Sequence, residues 1–418
     1  ALLVGLSVLN IQLAHFYTPE PLLTFFVLLT LNLAAGLARS GGGWRQIALG
    51  IALGLALATK VSTALLILVV LVTCQVQGAR DKAQGTIHRT PLVATLWCVL
   101  PVVLVAAAMF VVAQPYAVID WQTFLGHTIG ESRIAWGQLD APYTRQYADT
   151  WPYLYQIRQT ALWGLGLPLG VLAWAGLAVV AVGWLRRGRW AYTLLLAWAG
   201  VYFAITGTMY AKYLRYMLPL VPILCVMGIG LVWDPGHRQN RNVHEASDVK
   251  RDTEDTKRAT SNGRRHWMVT AGLLSLVVLS LLYALAYVGI YSERHSWIVA
   301  SEWIYEHVPA GSTLAVEEWD TALPLPMPAD GQQRRIEEYD VRRLPLYDEP
   351  DDPDKWAAIA ADLAESDYLV IASRRLYGSI PRLPQRYPLA TRYYEQLFAG
   401  ELGFELAGDF TRGPDWLN

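Results

Sequence analysis

Charge is scarce in this chain, and so is cysteine. Only 17% of the 418 residues are Asp, Glu, Lys or Arg, against 54% that are apolar, a balance that excludes water as the only solvent. The 34 basic and 35 acidic residues leave a net charge of -1. No basic face forms to hold a polyanion, so nucleic acid is not an expected partner. Cys74, Cys98 and Cys225 all lie inside apolar runs, without a CxxC pair or a neighbouring His. That spacing argues against a zinc site or a redox pair, and the three read as small buried apolar residues. Also lacking are a catalytic-triad spacing and a glycine loop for phosphate. The opening ALLVGLSVLNIQLAHF has no initiator Met, basic leader or small-residue cleavage site, so the natural N-terminus is expected upstream of it.

Long apolar runs are what the chain has in plenty. Nine segments, near 1–16, 21–38, 46–59, 61–77, 92–113, 162–184, 191–208, 213–233 and 267–291, are apolar enough to be read as membrane helices. The third and fourth are parted only by Thr59-Lys60, where a tight reversal is expected. Positive residues favour the cytoplasmic side, and alternate loops are basic: Arg39 and Arg45; Arg80, Lys82 and Arg89; Arg186, Arg187 and Arg189; and 234–266, with eight Lys/Arg against six Asp/Glu. Nine crossings put all four inside. The segment around Glu20, the turn at Lys60, loop 114–161, the loop around Lys212 and everything after 291 then face outward. Stretch 234–266 has too few large apolar residues to fold alone and reads as a flexible linker. In loop 114–161, Trp and Tyr alternate with single charges as in short interfacial helices, resting at the headgroups or covering a lipid-linked substrate.

After residue 291 the pattern becomes that of a soluble domain. IVASEWIYEHVP reads as a helix, STLAVEEW as a strand, KWAAIAADLAES as an amphipathic helix and DYLVIAS as a strand, an alternation that predicts a small α/β domain. The pairs Glu317-Glu318 and Asp351-Asp352 read as solvated surface charge.

Ionisable groups at a membrane face are costly and mark functional sites. Three places stand out. His15 and Glu20 flank the outer mouth of two spans in HFYTPEP, where Pro19 and Pro21 restrict the backbone and the helix dipole favours the carboxylate. Lys60 is stranded in GLALATKVSTALL and calls for an anion, either a lipid phosphate or Glu20. In MYAKYLRYMLPLVP, Lys212 and Arg215 are three apart, on one face if helical, with Tyr210, Tyr213 and Tyr216 around them; Arg grips phosphate oxygens in pairs.

With HFYTPEPLLTFFVLL, GIALGLALATKVSTALL and KYLRYMLPLVPIL in that order, the chain resembles membrane glycosyltransferases of the protein O-mannosyltransferase and aminoarabinose-transferase type. In particular it resembles the bacterial dolichyl-phosphate-mannose-mannosyltransferase-like members of this GT-C fold. The resemblance covers most of 10–233. The strings EEWD, YLVIASRRLYGSIPRLPQRYP and YYEQLFAGELGFEL resemble the exterior domain of such proteins. It implies a mainly α protein: a polytopic transmembrane bundle over 1–291, then a small extracytoplasmic α/β domain over 292–418, in the plasma membrane. It further implies inverting transfer of a sugar from a polyprenyl-phosphate carrier to a protein or lipid hydroxyl. No organic cofactor is called for, and use of a divalent metal is left open. Glu20 matches the family's second acidic position, usually Asp, as a supporting carboxylate. The principal base is expected in a first exterior loop upstream. Lys60 and Arg215 match positions that neutralise the carrier phosphate, with Lys212, His15 and Tyr213 as further substrate contacts. The competing readings are a transporter or flippase of lipid-linked sugar, and a non-catalytic envelope assembly subunit.

Overall fold

The computed structural model describes residues 1–85, 90–187, 192–232, 254–329 and 331–411. Arg89, Arg189 and 234–253 of the expected linker lie outside them. By contact the chain divides into two units, Ala1–Ser132 with Pro152–Ala284, and Arg133–Trp151 with Leu285–Asn418.

The first unit is helical. Helices α1 (Leu2–Gly5) and α2 (Val8–His15) are followed by α3 (Glu20–Ser40), α4 (Gly43–Thr59), α5 (Leu66–Ala83) and α6 (Pro91–Ala113). Then come α7 (Tyr116–Ile119), α8 (Trp121–Ala135), α9 (Leu154–Gln159), α10 (Leu167–Arg187), α11 (Thr193–Thr208), α12 (Val221–Val232) and α13 (Glu254–Gly289). Six stretches, beginning at Glu20, Val61, Leu92, Leu167, Leu214 and Val269, are long and apolar enough to cross a membrane; Gly43–Thr59 and Thr193–Thr208 are shorter apolar helices. The chain is a multi-pass membrane protein.

Three expectations change here. The first apolar segment is two short helices, because the Ser7 hydroxyl donates to the Val4 carbonyl at 2.9 Å and competes with the helical ladder. The expected linker becomes helical from Glu254, as the backbone of α13 extends out of its apolar part. Cys74 and Cys98 are joined by a disulfide, with Cα atoms 5.6 Å apart on neighbouring helices; Cys225 is free and buried.

Between α4 and α5 the chain does reverse. Thr59 turns its hydroxyl back onto the Leu55 carbonyl, Lys60 is extended, and Val61–Leu65 forms a 3-10 turn. A run of β-branched and hydroxyl residues, Val61-Ser62-Thr63, is poorly suited to continuing an α-helix. Antiparallel α3, α4 and α5 thus bring Glu20 and Lys60 together at one end, while Arg39, Arg45, Arg80 and Lys82 lie at the other.

Helix α4 meets α6 through Gly50 and Gly54. A Cβ on Gly50 would stand 2.7 Å from the Val102 carbonyl oxygen, and one on Gly54 2.5 Å from that of Ala106. Small residues four apart allow such backbone approach in membranes. Gly54→Val should cost about 2 kcal/mol by overpacking, lowering the thermal midpoint in detergent. Gly200→Val, whose Cβ meets nothing within 4 Å, should leave it unchanged.

The second unit contains α14 (Ser296–His307), β1 (Thr313–Glu317), β2 (Met327–Ala329), β3 (Gln332–Arg334), β4 (Asp340–Leu344), α15 (Pro353–Glu365), β5 (Tyr368–Val370) and α16 (Pro388–Phe398). Strands β4, β1 and β5 form a parallel sheet in that order, and β2 pairs with β3 antiparallel. Alternation along the strands divides the core between the two sheet faces. Leu314 packs with Ala300 and Ile304 of α14, whereas Ala315 and Leu344 pack with Ile359 of α15 and Tyr393 and Tyr394 of α16.

Segment 133–151 belongs to this unit through Arg145, which is buried. Its guanidinium donates to both carboxylate oxygens of Asp140, at 3.2 and 2.7 Å, and to the Tyr387 hydroxyl at 2.7 Å. Tyr387 in turn donates to Glu349 at 2.7 Å. The Arg145 bond holds Asp140 below the usual carboxylate range, and Arg386 does the same for Glu349.

The acidic pairs are not both solvated, contrary to expectation. Glu317 is 2% exposed. Asp351 is buried as a cap, its carboxylate accepting from the N–H groups of Leu389 and Ala390 at the start of α16 and from the Trp356 indole. Burial was set by strand parity and capping need, not by the charge of the pair.

Candidate functional site

Glu20 opens α3, between Pro19 and Pro21. Both prolines occupy positions where a missing N–H costs the helix nothing. The first turn is held by the Thr24 hydroxyl, which donates to the Glu20 carbonyl at 2.8 Å. The carboxylate is 3% exposed, which a charge tolerates only with partners. Lys60 donates to Oε1 at 3.1 Å, and the Arg215 Nε lies 3.9 Å from the same oxygen. Oε2 is buried and has no hydrogen-bond partner among the described residues.

Tyrosines hold the two cations. The Lys60 ammonium sits 4.6 Å over the Tyr216 ring, and the Arg215 guanidinium lies 4.7 Å from the Tyr213 ring and 5.7 Å from that of Tyr216. Tyr213 and Tyr216 meet edge-on at 5.4 Å. Tyr202, buried in α11, fixes this stretch by donating to the Tyr216 carbonyl at 2.8 Å. Cation–π contact orients a cation without neutralising it. Side chains of Lys60 and Arg215 remain 32% and 46% exposed, which leaves both open to an anion from outside.

Of the expected residues, Glu20, Lys60, Arg215 and Tyr213 come together. Lys212 does not share a helical face with Arg215. Pro219 and Pro222 are tolerated only in the first turns of a helix, so α12 starts at Val221, Arg215 falls in the 3-10 turn Leu214–Leu220, and Lys212 lies in irregular chain before it. Its ammonium is buried, donates to the Tyr210 carbonyl at 3.3 Å and makes no ion pair among the described residues. Burial pushes its pKa down. His15 ends α2 and is exposed, edge-on to Phe16.

Tyr202 was not read from the sequence, nor was Glu131 of α8, whose charge reaches Tyr216. Only the alternation of Trp and Tyr with single charges in 114–161 pointed toward α8. Among the described residues no group of three or more His, Cys, Asp or Glu is placed to hold a metal ion.

The arrangement joins a buried carboxylate to two reachable cations. The cations can hold an anion, and a hydroxyl that entered beside the carboxylate would donate to its buried, unpartnered oxygen. Comparison with known proteins finds no family model, curated sequence or solved structure that matches the chain.

Proposed function

We propose that this chain is a membrane glycosyltransferase of the GT-C type, moving a sugar from a polyprenyl-phosphate carrier to a hydroxyl of a protein or lipid acceptor at the outer membrane face. The observation that carries the reading is the buried Glu20 carboxylate, paired through Oε1 with Lys60 and Arg215 and without a hydrogen-bond partner at Oε2 among the described residues. Departure of a lipid phosphate builds negative charge on the bridging oxygen. Two cations already in place stabilise that charge without reorganising. Oε2 orients the reacting hydroxyl as a supporting group, and the resemblance implies a separate base that takes its proton.

Orientation supports the outer face. Arg39, Arg45, Arg80 and Lys82 lie at the ends of α3, α4 and α5 opposite Glu20 and Lys60. The positive-inside rule then puts the site outside. The part over 292–418 is the exterior α/β domain in this reading, and the membrane is the plasma membrane.

The test is transfer of label from radiolabelled polyprenyl-phosphate sugars to an envelope extract, using the protein at its full natural length in nanodiscs. Arg215→Ala removes one charge-assisted grip on phosphate and should weaken donor binding about tenfold. Carrier movement between leaflets without transfer would make the protein a flippase instead. Carrier binding unchanged in both Arg215→Ala and Lys60→Ala would leave only an assembly subunit.

A further inference from the structure

The sheet of the second unit has a crevice that the transfer site does not use. After β1 the chain turns to the face of α14, where Leu323 and Leu325 pack. After β5, the strand beside β1, it turns to the other face, where Leu376 and Ile380 pack with α15 and α16. Neighbouring parallel strands whose exits diverge in this way leave a crevice outside their carboxyl ends, the place where open parallel sheets take ligands.

It is bounded by Glu318, Trp319 and Asp320 in the segment after β1, and by Ser373, Arg374 and Arg375 in the segment after β5. Trp319 is 51% exposed and held at φ 70°, a conformation unfavourable for a bulky side chain. The Arg375 guanidinium donates to the Trp319 carbonyl at 2.5 Å, and the Ser373 hydroxyl donates to Asp320. These two bonds cross the crevice and hold the backbone that presents the indole. Asp320 also accepts from the Thr321 N–H at 2.9 Å, so its role is to position. The Arg374 guanidinium is exposed and forms no ion pair among the described residues.

Glu317 ends β1, and its Oε1 accepts from the Tyr394 hydroxyl at 2.6 Å while its buried Oε2 has no partner among the described residues. Asp320 is near enough for its charge to act on Glu317. Formal charges on the walls cancel, with Glu318 and Asp320 against Arg374 and Arg375, so neither an anion nor a cation is favoured. An exposed amphipathic ring, with a carboxylate next to it in sequence and an exposed guanidinium in the segment that bonds its backbone, suits a ligand with an apolar face and a rim of hydroxyls.

We infer that this crevice binds a neutral saccharide, stacked on Trp319 and hydrogen-bonded through Glu318 and Arg374. The inference needs only the second unit and stands apart from the transfer chemistry.

Fluorotryptophan-labelled full chain in nanodiscs provides the test by fluorine NMR. The Trp319 signal is the one lost in Trp319→Gly, a substitution suited to the positive φ and so harmless to the fold. Methyl mannoside, maltotetraose and mannotetraose are the probes. At least one should move that signal saturably with a Kd of about 1 mM, the weak range of a solvent-exposed site. Glu318→Gln with Arg374→Ala should weaken binding about tenfold, roughly one lost hydrogen bond, with the other tryptophan signals unmoved. No movement at about ten times that concentration would overturn the inference. So would a response to inorganic phosphate or galacturonate without one to any neutral sugar.

Discussion

Glu20→Gln should cut turnover about a hundredfold, the scale of removing one preorganised electrostatic group, while tightening the hold on the polyprenyl-phosphate donor. Both directions come from the same geometry. In the native protein Lys60 and Arg215 share Oε1 of a carboxylate that is almost wholly buried. Neutralising it removes the negative charge that competes with phosphate for the two cations. Donor affinity should therefore rise, by about tenfold where the part-exposed cations are screened by water. What is lost is the anionic acceptor at Oε2, and with it the alignment of the reacting hydroxyl. Arg215→Ala moves donor affinity the opposite way. Measured together by donor-binding isotherms and single-turnover transfer, the two variants separate roles that simple misfolding would merge. A fall in donor affinity for Glu20→Gln, parallel to that for Arg215→Ala, would reduce Glu20 to a structural counter-ion.

Much of this site was legible because membrane charges are rare. Lys60 interrupts an apolar run, and Glu20 stands between prolines; each is visible without knowing what it meets. The reversal at Lys60 was also legible, since only two crossings there keep the basic loops on one side. Lys212 and Arg215 show the limit. Their spacing of three predicts a shared face only if the intervening chain is helical, and Pro219 with Pro222 delays the helix until Val221. The Cys74–Cys98 bond was not legible for a related reason. The two lie on consecutive spans, and the register between α5 and α6 follows from helix packing rather than from any local pattern.

Glu317 was misread although its signal was present. Alternation along STLAVEEW puts residue 317 on the same sheet face as Ala315, and that face is covered by α15 and α16. Glu318 falls on the other parity and is half-buried. An adjacent pair of carboxylates in a strand is therefore divided between two environments, and reading the pair as one surface feature missed this.

The buried carboxyl has the second large consequence, a loss of stability in the second unit as pH rises. Burial pushes the Glu317 pKa up from 4.5 to about 7, with the Tyr394 hydrogen bond opposing it and the Asp320 charge adding to it. Below pH 4.5 folded and unfolded chains both keep the proton. From there to about 7 the unfolded chain has released it and the folded chain has not, so unfolding is favoured more with each step. Above that range both are ionised and the contribution is constant. The total change is about 3 kcal/mol from the size of the shift. Hydrogen exchange of the β1 amides in the full chain, corrected for the intrinsic rate at each pH, should show protection falling about a hundredfold across that window. Glu317→Gln keeps an oxygen for Tyr394 and cannot ionise, so its protection should be flat over the same range. A native profile as flat as that of the Gln variant would mean that Glu317 is not the titrating group, and a slope surviving in the variant would assign it to another buried acid.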